Sequence, residues 1–336
     1  MHLPNSSSLP RYCAAFLIVI VVAFALQPAG AAEDTGTKSP GSNEVRPIGI
    51  GDAIVLGVVE GITEYLPISS TGHLILVSHS LGLSQYQEAE EGAKREISKA
   101  PALDAYEIVI QLGAILAVLG LYRQRVMQMI RGVLGQDREG LHLTICLFIA
   151  FVPAAVTGLL FRDAIKAHLF SPGPVAAALA AGGLLMLGAE HVYRRKSDPD
   201  KRITNVAAIT YRGALIVGLF QCLALWPGTS RSMVTIVGAL VAGLGMVAAA
   251  EFSFLLALPT LGAATVYEGI KGWDELTHGT GMTTLLVGTI VSLVVAFFAV
   301  KALVKWLTHH GLTPFGIYRI ILALGVLWYF ANLKLS

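Results

Sequence analysis

The sequence predicts an all-α polytopic membrane protein of about ten helical segments. It predicts an inverted-topology repeat in which two re-entrant, broken helix hairpins meet near the midplane. Three observations carry this reading. Of 336 residues, 54% are hydrophobic and 14% charged, against about 25% charged in soluble domains. Several apolar runs reach the roughly 20 residues that cross a bilayer as helix. Two stretches also echo each other: GVVEGITEYLPISST from Gly57 and GLFQCLALWPGTSRS from Gly218. Each runs Gly-x-x-Glu/Gln, then a proline about ten residues after the glycine, then a Ser/Thr cluster.

Residues 1–31 read as a signal peptide or, uncleaved, an anchor. Arg11 precedes an apolar run from Cys13 to Leu26, followed by Pro28 and the small residues Ala29 to Ala31. Residues 32–47, rich in charge, Gly, Ser and Pro, read as a disordered linker. The membrane domain is expected over 48–336, with repeat one near 48–193 and repeat two near 205–333. Its apolar segments fall near 48–66, 67–83, 105–122, 142–161, 173–193, 211–226, 227–247, 251–268, 283–305 and 315–333. Pro67 and Pro227 interrupt the two hairpins.

Lys and Arg set the orientation. Arg123, Arg125, Arg131 and Arg138 follow one span, and Arg194, Arg195, Lys196, Lys201 and Arg202 follow another. Both clusters are expected on the cytoplasmic side. The pair 48–83 then begins and ends outside, and the pair 211–247 begins and ends inside. Hairpins entering from opposite faces are the mark of an inverted repeat, which builds sites near the midplane from broken helices. The net charge of +2 makes no electrostatic case for nucleic acid. Cys13, Cys146 and Cys222 have no metal or redox spacing.

The polar residues inside these hairpins are the candidate site. Glu60 and Glu64 lie one helical turn apart on a shared face. Two carboxylates in low dielectric either share a proton or bind a cation. Oxygen ligands suit Mg²⁺ or Ca²⁺. The plain alternative is a helix-end pair facing water, against which their apolar neighbours count. After Pro67, the cluster Ser69, Ser70, Thr71 forms the start of a second helix, with His73 one turn beyond Ser70. Either these hydroxyls only cap the helix, or its free N–H groups, a hydroxyl and an imidazole together handle a phosphate.

The second hairpin carries Ser230, Arg231, Ser232 and Thr235 in PGTSRSMVT, and Gln221 at the position of Glu60. An arginine in an apolar hairpin needs an anionic partner. Its planar fork suits a phosphate, or a structural ion pair with Glu60, Glu64 or Glu251. The histidines His79, His309 and His310 read as structural. Gly57 and Gly61 form a small-xxx-small pattern, which packs helices either inside the chain or in a homodimer.

Glu60 to Glu64 with PISSTGH, and PGTSRSMVT, resemble the motifs of the bacterial integral-membrane undecaprenyl-diphosphate phosphatases of the bacitracin-resistance type. FQCLALWPG and EFSFLLALP are similar to that family too, and the likeness runs from about Ile48 to the C-terminus. The resemblance implies hydrolysis of a polyprenyl diphosphate to polyprenyl phosphate and inorganic phosphate. It implies recycling of the cell-wall lipid carrier, bacitracin tolerance and a divalent cation. It also implies a site in the cytoplasmic (inner) membrane open to the periplasmic side. Residues 1–47 depart from the family pattern.

On this reading Glu60, Glu64, Ser70, His73 and Arg231 are catalytic, with Glu60 and Glu64 also the metal ligands. Ser69, Thr71, Ser230, Ser232, Thr235 and Gln221 contact substrate. The nucleophile is either Ser70 or a water held by Glu64 and His73. The rival reading, from the same inverted hairpins, is a transporter of polyprenyl phosphate or another anion.

Overall fold

The computed structural model describes residues 46–86, 97–99, 103–169, 171–196, 198–271, 273, 276 and 280–332. The signal segment and nearly all of the linker lie outside these residues.

The first hairpin consists of α1 (Ile50–Thr63) and α2 (Ser70–Ser80). Asp52 starts α1 by accepting the Gly49 N–H at 2.8 Å. Arg46 grips Asp52 through both terminal nitrogens and donates to the Leu81 carbonyl at 2.8 Å, closing the hairpin at its base. α1 ends ahead of Pro67, and Ser69 caps α2 by accepting from the Gly72 N–H. The second hairpin repeats the pattern with α7 (Tyr211–Cys222), a 3₁₀ turn (Leu223–Leu225) and α8 (Arg231–Val241). Thr210 caps α7 and Ser230 caps α8. Its base is tied by Ile203, which donates to Gly243 and accepts from Gly245. The helices of both hairpins are 11 to 14 residues long, short of a full crossing.

Among the described residues, six helices are long and apolar enough to cross a membrane. They are α3 (Leu103–Leu121), α5 (Arg138–Leu169), α6 (Pro172–Lys196), α9 (Met246–Lys271), α10 (Met282–Leu307) and α11 (Thr313–Asn332). The protein is thus an all-α polytopic membrane protein. Two details differ from the sequence reading. The arginine-rich loop after residue 122 is itself a helix, α4 (Arg123–Val133), one face of which packs on α5. Between α2 and α3 lies a small antiparallel pair, β1 (Ser84–Tyr86) with β2 (Ile97–Lys99).

The first helix of each hairpin packs on a long helix distant in sequence: α10 runs along α1, and α5 along α7. Both contacts rest on glycine. A Cβ on Gly57 or Gly61 would lie 2.6 Å from the Gly288 carbonyl oxygen or 2.7 Å from that of Ser292. A Cβ on Gly218 would lie 2.7 Å from the Ala150 carbonyl oxygen. The small-xxx-small pattern is therefore used inside the chain, where backbones touch. Gly61→Ala is expected to lower the thermal unfolding midpoint in detergent, at a cost of about 1–3 kcal/mol. Gly120→Ala, where the added carbon meets open space, serves as the control. Equal midpoints for the two variants would contradict the close α1–α10 contact.

Phe148, Leu159, Phe298, Leu324 and Trp328 are exposed on the outside of the bundle, whereas Glu60, Gln221, Ser292 and Arg319 are buried. This inside-out polarity suits a hydrocarbon solvent and places the chemistry-bearing groups at the centre.

Candidate active site

The two hairpin turns meet, and Glu64 stands at the junction. It follows the last turn of α1 and is 7% exposed. Its Oε2 accepts from the Ser70 hydroxyl at 2.7 Å and its Oε1 from Arg231 Nη2 at 2.9 Å. Arg231 Nη1 donates to the Ser253 carbonyl on α9 at 3.0 Å, while its Nε is buried with no partner among the described residues. The guanidinium also lies over the Tyr65 ring, 5.4 Å from its centre. A serine hydroxyl, a carboxylate and an arginine fork thus form one hydrogen-bonded chain. The Nε–H of the guanidinium is left over for an anion.

The turn geometry is the same in both hairpins. Ser69 and Ser230 have φ of 77° and 72°, and they are the two non-glycine residues with positive φ among the described residues. Such a conformation costs about 1–3 kcal/mol per residue. Each strained serine caps the following helix, and the next residue is Ser70 in one hairpin and Arg231 in the other. The turns therefore aim those two side chains at a common point.

The remaining candidates divide by their bonds. Glu60, one turn before Glu64, is fully buried, and neither carboxylate oxygen has a hydrogen-bond partner among the described residues. Gln221 at the matching position is likewise buried, and its amide has no hydrogen-bond partner among the described residues. Ser232 donates to the Leu66 carbonyl at 2.9 Å and meets Ser230 at 3.1 Å, which stitches the second hairpin onto the first. Thr235 bonds the Arg231 carbonyl and the Ser253 hydroxyl. These two hydroxyls are committed to the protein. Thr71 is half-buried in the first turn of α2.

His73 lies close by but not against Ser70. A helical side chain leans back toward its own N-terminus, so the ring reaches the Ser69 carbonyl with Nδ1 at 2.7 Å. Its Nε2 is 2.7 Å from the Tyr318 hydroxyl on α11. Glu251, a candidate partner for Arg231 on sequence, instead pairs with Arg125 of α4 at 2.9 Å. No group of three His, Cys, Asp or Glu side chains with metal-binding spacing occurs among the described residues. Sequence reasoning missed Ser253, Tyr318 and Arg319. For Arg319 the signal was present, since the rule that singles out Arg231, an arginine in an apolar segment, applies to it equally.

This arrangement defines a polytopic membrane protein with a buried polar centre suited to a phosphorylated ligand. The chain belongs to the family described as bacitracin resistance protein BacA, which it matches over residues 53–325. It is 50% identical over 278 residues to the undecaprenyl-diphosphatase of Sorangium cellulosum, covering 82% of this chain and 85% of that one. It is 46% identical over 275 residues to undecaprenyl-diphosphatase 2 of Rhodospirillum rubrum, covering 82% and 93%. It is 42% identical over 276 residues to undecaprenyl-diphosphatase 3 of Acinetobacter baylyi, covering 82% and 96%.

Proposed function

We propose that the chain hydrolyses undecaprenyl diphosphate to undecaprenyl phosphate and inorganic phosphate, recycling the carrier lipid of cell-wall synthesis and raising bacitracin tolerance. The observation that carries the reading is the bonded chain Ser70–Glu64–Arg231, assembled from both hairpins. Phosphoryl transfer needs mainly positioning and charge neutralisation, and this chain supplies both.

Arg231 binds the terminal phosphate through its unpartnered Nε, with the N–H groups at the start of α2 and α8 adding positive potential. Ser70 Oγ attacks the terminal phosphorus as Glu64 takes its proton. The anhydride P–O bond breaks and undecaprenyl phosphate leaves. Water then cleaves the phosphoserine, Glu64 returning its proton to Ser70 Oγ as inorganic phosphate leaves. Its bonds give His73 the task of orienting the turn before Ser70 rather than of acting on Ser70 directly.

A divalent cation, Mg²⁺ or Ca²⁺, fits the bare carboxylate of Glu60 beside Glu64. With so few protein ligands, phosphate and water oxygens would complete its shell. It would supply neutralisation of phosphate charge. Likeness to the undecaprenyl-diphosphatases supports a place in the cytoplasmic (inner) membrane with the site reached from the periplasmic side, and the loop charges support the orientation of the spans.

The test is release of phosphate from undecaprenyl diphosphate by purified protein in detergent, with and without a chelator. Detergent leaves no second compartment, so a protein that only moved the lipid would release none. Substrate labelled with ³²P in its terminal phosphate is expected to leave label on Ser70 in a rapid quench, and Ser70→Ala to abolish turnover. Normal turnover by Ser70→Ala would exclude the serine nucleophile, and activity indifferent to the chelator would sink the cation assignment.

A further inference from the structure

α11 belongs to neither hairpin, yet two consecutive side chains on it reach both strained turns. The first is Tyr318. The Ser69 carbonyl can only accept a hydrogen bond, so His73 Nδ1, 2.7 Å from it, carries a proton. In a neutral ring Nε2 is then the acceptor and the Tyr318 hydroxyl, 2.7 Å away, the donor. The two rings also lie within 9° of parallel, with centres 5.7 Å apart. A relay of two hydrogen bonds thus runs from α11 through His73 to the carbonyl of Ser69, the residue with φ 77° that precedes Ser70.

The second is Arg319, which has no solvent exposure. Its Nη2 donates to the Gly228 carbonyl at 2.9 Å and to the Ala178 carbonyl at 3.3 Å. Gly228 has φ 94° and stands two residues before Ser230, the strained cap that precedes Arg231. A Cβ there would lie 2.5 Å from the Val175 carbonyl oxygen, so the turn is pressed onto α6. Burying a guanidinium that finds so few partners is costly. Nε and Nη1 have none among the described residues. The return for that cost is a fixed turn.

We propose that Tyr318 and Arg319 are a positioning pair. Tyr318, through His73, holds the Ser69 turn that aims Ser70. Arg319 holds the Gly228 turn that aims Arg231. Neither touches substrate, and the strain stored in both caps is held from this one helix. The proposal rests on the phosphatase reading for its kinetic consequences, but not for its bonds.

Tyr318→Phe keeps the ring and removes only the hydroxyl. It is expected to lower kcat for phosphate release about 10- to 100-fold, the scale of loss on removing a group that orients a metal-binding side chain, with KM within about twofold. In a His73→Asn background the same change is expected to cost nothing further, because its route to Ser70 is already gone. Arg319→Lys, acting on the Arg231 turn, is expected chiefly to raise KM. Losses that multiply in the Tyr318→Phe/His73→Asn double variant overturn the relay. So does a drop in kcat that only follows the fraction of folded protein.

A second readout does not depend on activity. In ¹⁵N-histidine NMR spectra, with His73→Asn for assignment, Tyr318→Phe is expected to remove the hydrogen-bond shift at His73 Nε2. An unchanged His73 signal overturns the proposal even if the protein proves not to be a phosphatase. A changed signal without phosphate release leaves the relay standing and removes the phosphatase reading instead.

Discussion

Glu64→Gln is expected to lower kcat for phosphate release about a thousandfold, within the span that a positioned general base contributes, and to leave KM within a few-fold. Glutamine is nearly the shape of glutamate and its carbonyl oxygen still accepts one bond from Ser70 or Arg231. It cannot take a proton, and it cannot accept from both partners with two equivalent oxygens as Glu64 does at 2.7 and 2.9 Å. The side chains of Glu64 and Arg231 are only 6% and 9% exposed. Losing the carboxylate therefore leaves a buried cation uncompensated, at about 3–5 kcal/mol. A lower unfolding midpoint is expected to accompany the loss of rate. The two effects separate by assaying protein that remains monodisperse below its midpoint. Retention of more than about a tenth of wild-type kcat would show that Glu64 is not the base.

Arg231→Ala is expected to cost about a hundred- to a thousandfold in kcat/KM, in line with removing a preorganised charge donor from a dry site. The variant loses the ion pair to Glu64, the bond to the Ser253 carbonyl and the buried Nε together. Arg231→Lys is expected to recover only part of this. Lysine keeps the charge but not a planar fork able to hold Glu64 and Ser253 while presenting a third donor to phosphate. If lysine restored full rate, charge alone would account for Arg231 and the fork geometry would be irrelevant. Near-normal phosphate release from Arg231→Ala would remove it from the site altogether.

Much of the fold was legible because a bilayer is a demanding solvent. A chain with 14% charged residues and apolar runs of spanning length has few structures open to it, since each backbone group must be bonded internally. The interruptions were legible for the same reason. Pro67 and Pro227 cannot continue a helix, and the serines after them are good caps, so both hairpin turns fall where the sequence places them. Helix α4 was not legible. Its charged face reads as a loop when no partner is in view, and it becomes a helix because its other face packs on α5, with Arg125 reaching Glu251 across 126 residues.

Within the site, the same division holds. Sequence by itself determined which residues are present in each turn, because Glu60, Glu64, Ser69, Ser70 and His73 lie within one short hairpin and their spacing sets their faces. It also determined family membership, through motifs that are local. Which of these residues bond to each other was decided by tertiary structure. Ser70 and His73 are one turn apart and look like partners on a helix, yet Ser70 bonds Glu64 while His73 turns to Tyr318, 245 residues away. Arg231 had three plausible carboxylates and takes Glu64, 167 residues away, because the second hairpin docks there and Arg125 already holds Glu251. Helical periodicity orders side chains around one axis. Only the packing of α9 and α11 against the two hairpins determines which faces meet, and so which hydrogen bonds form.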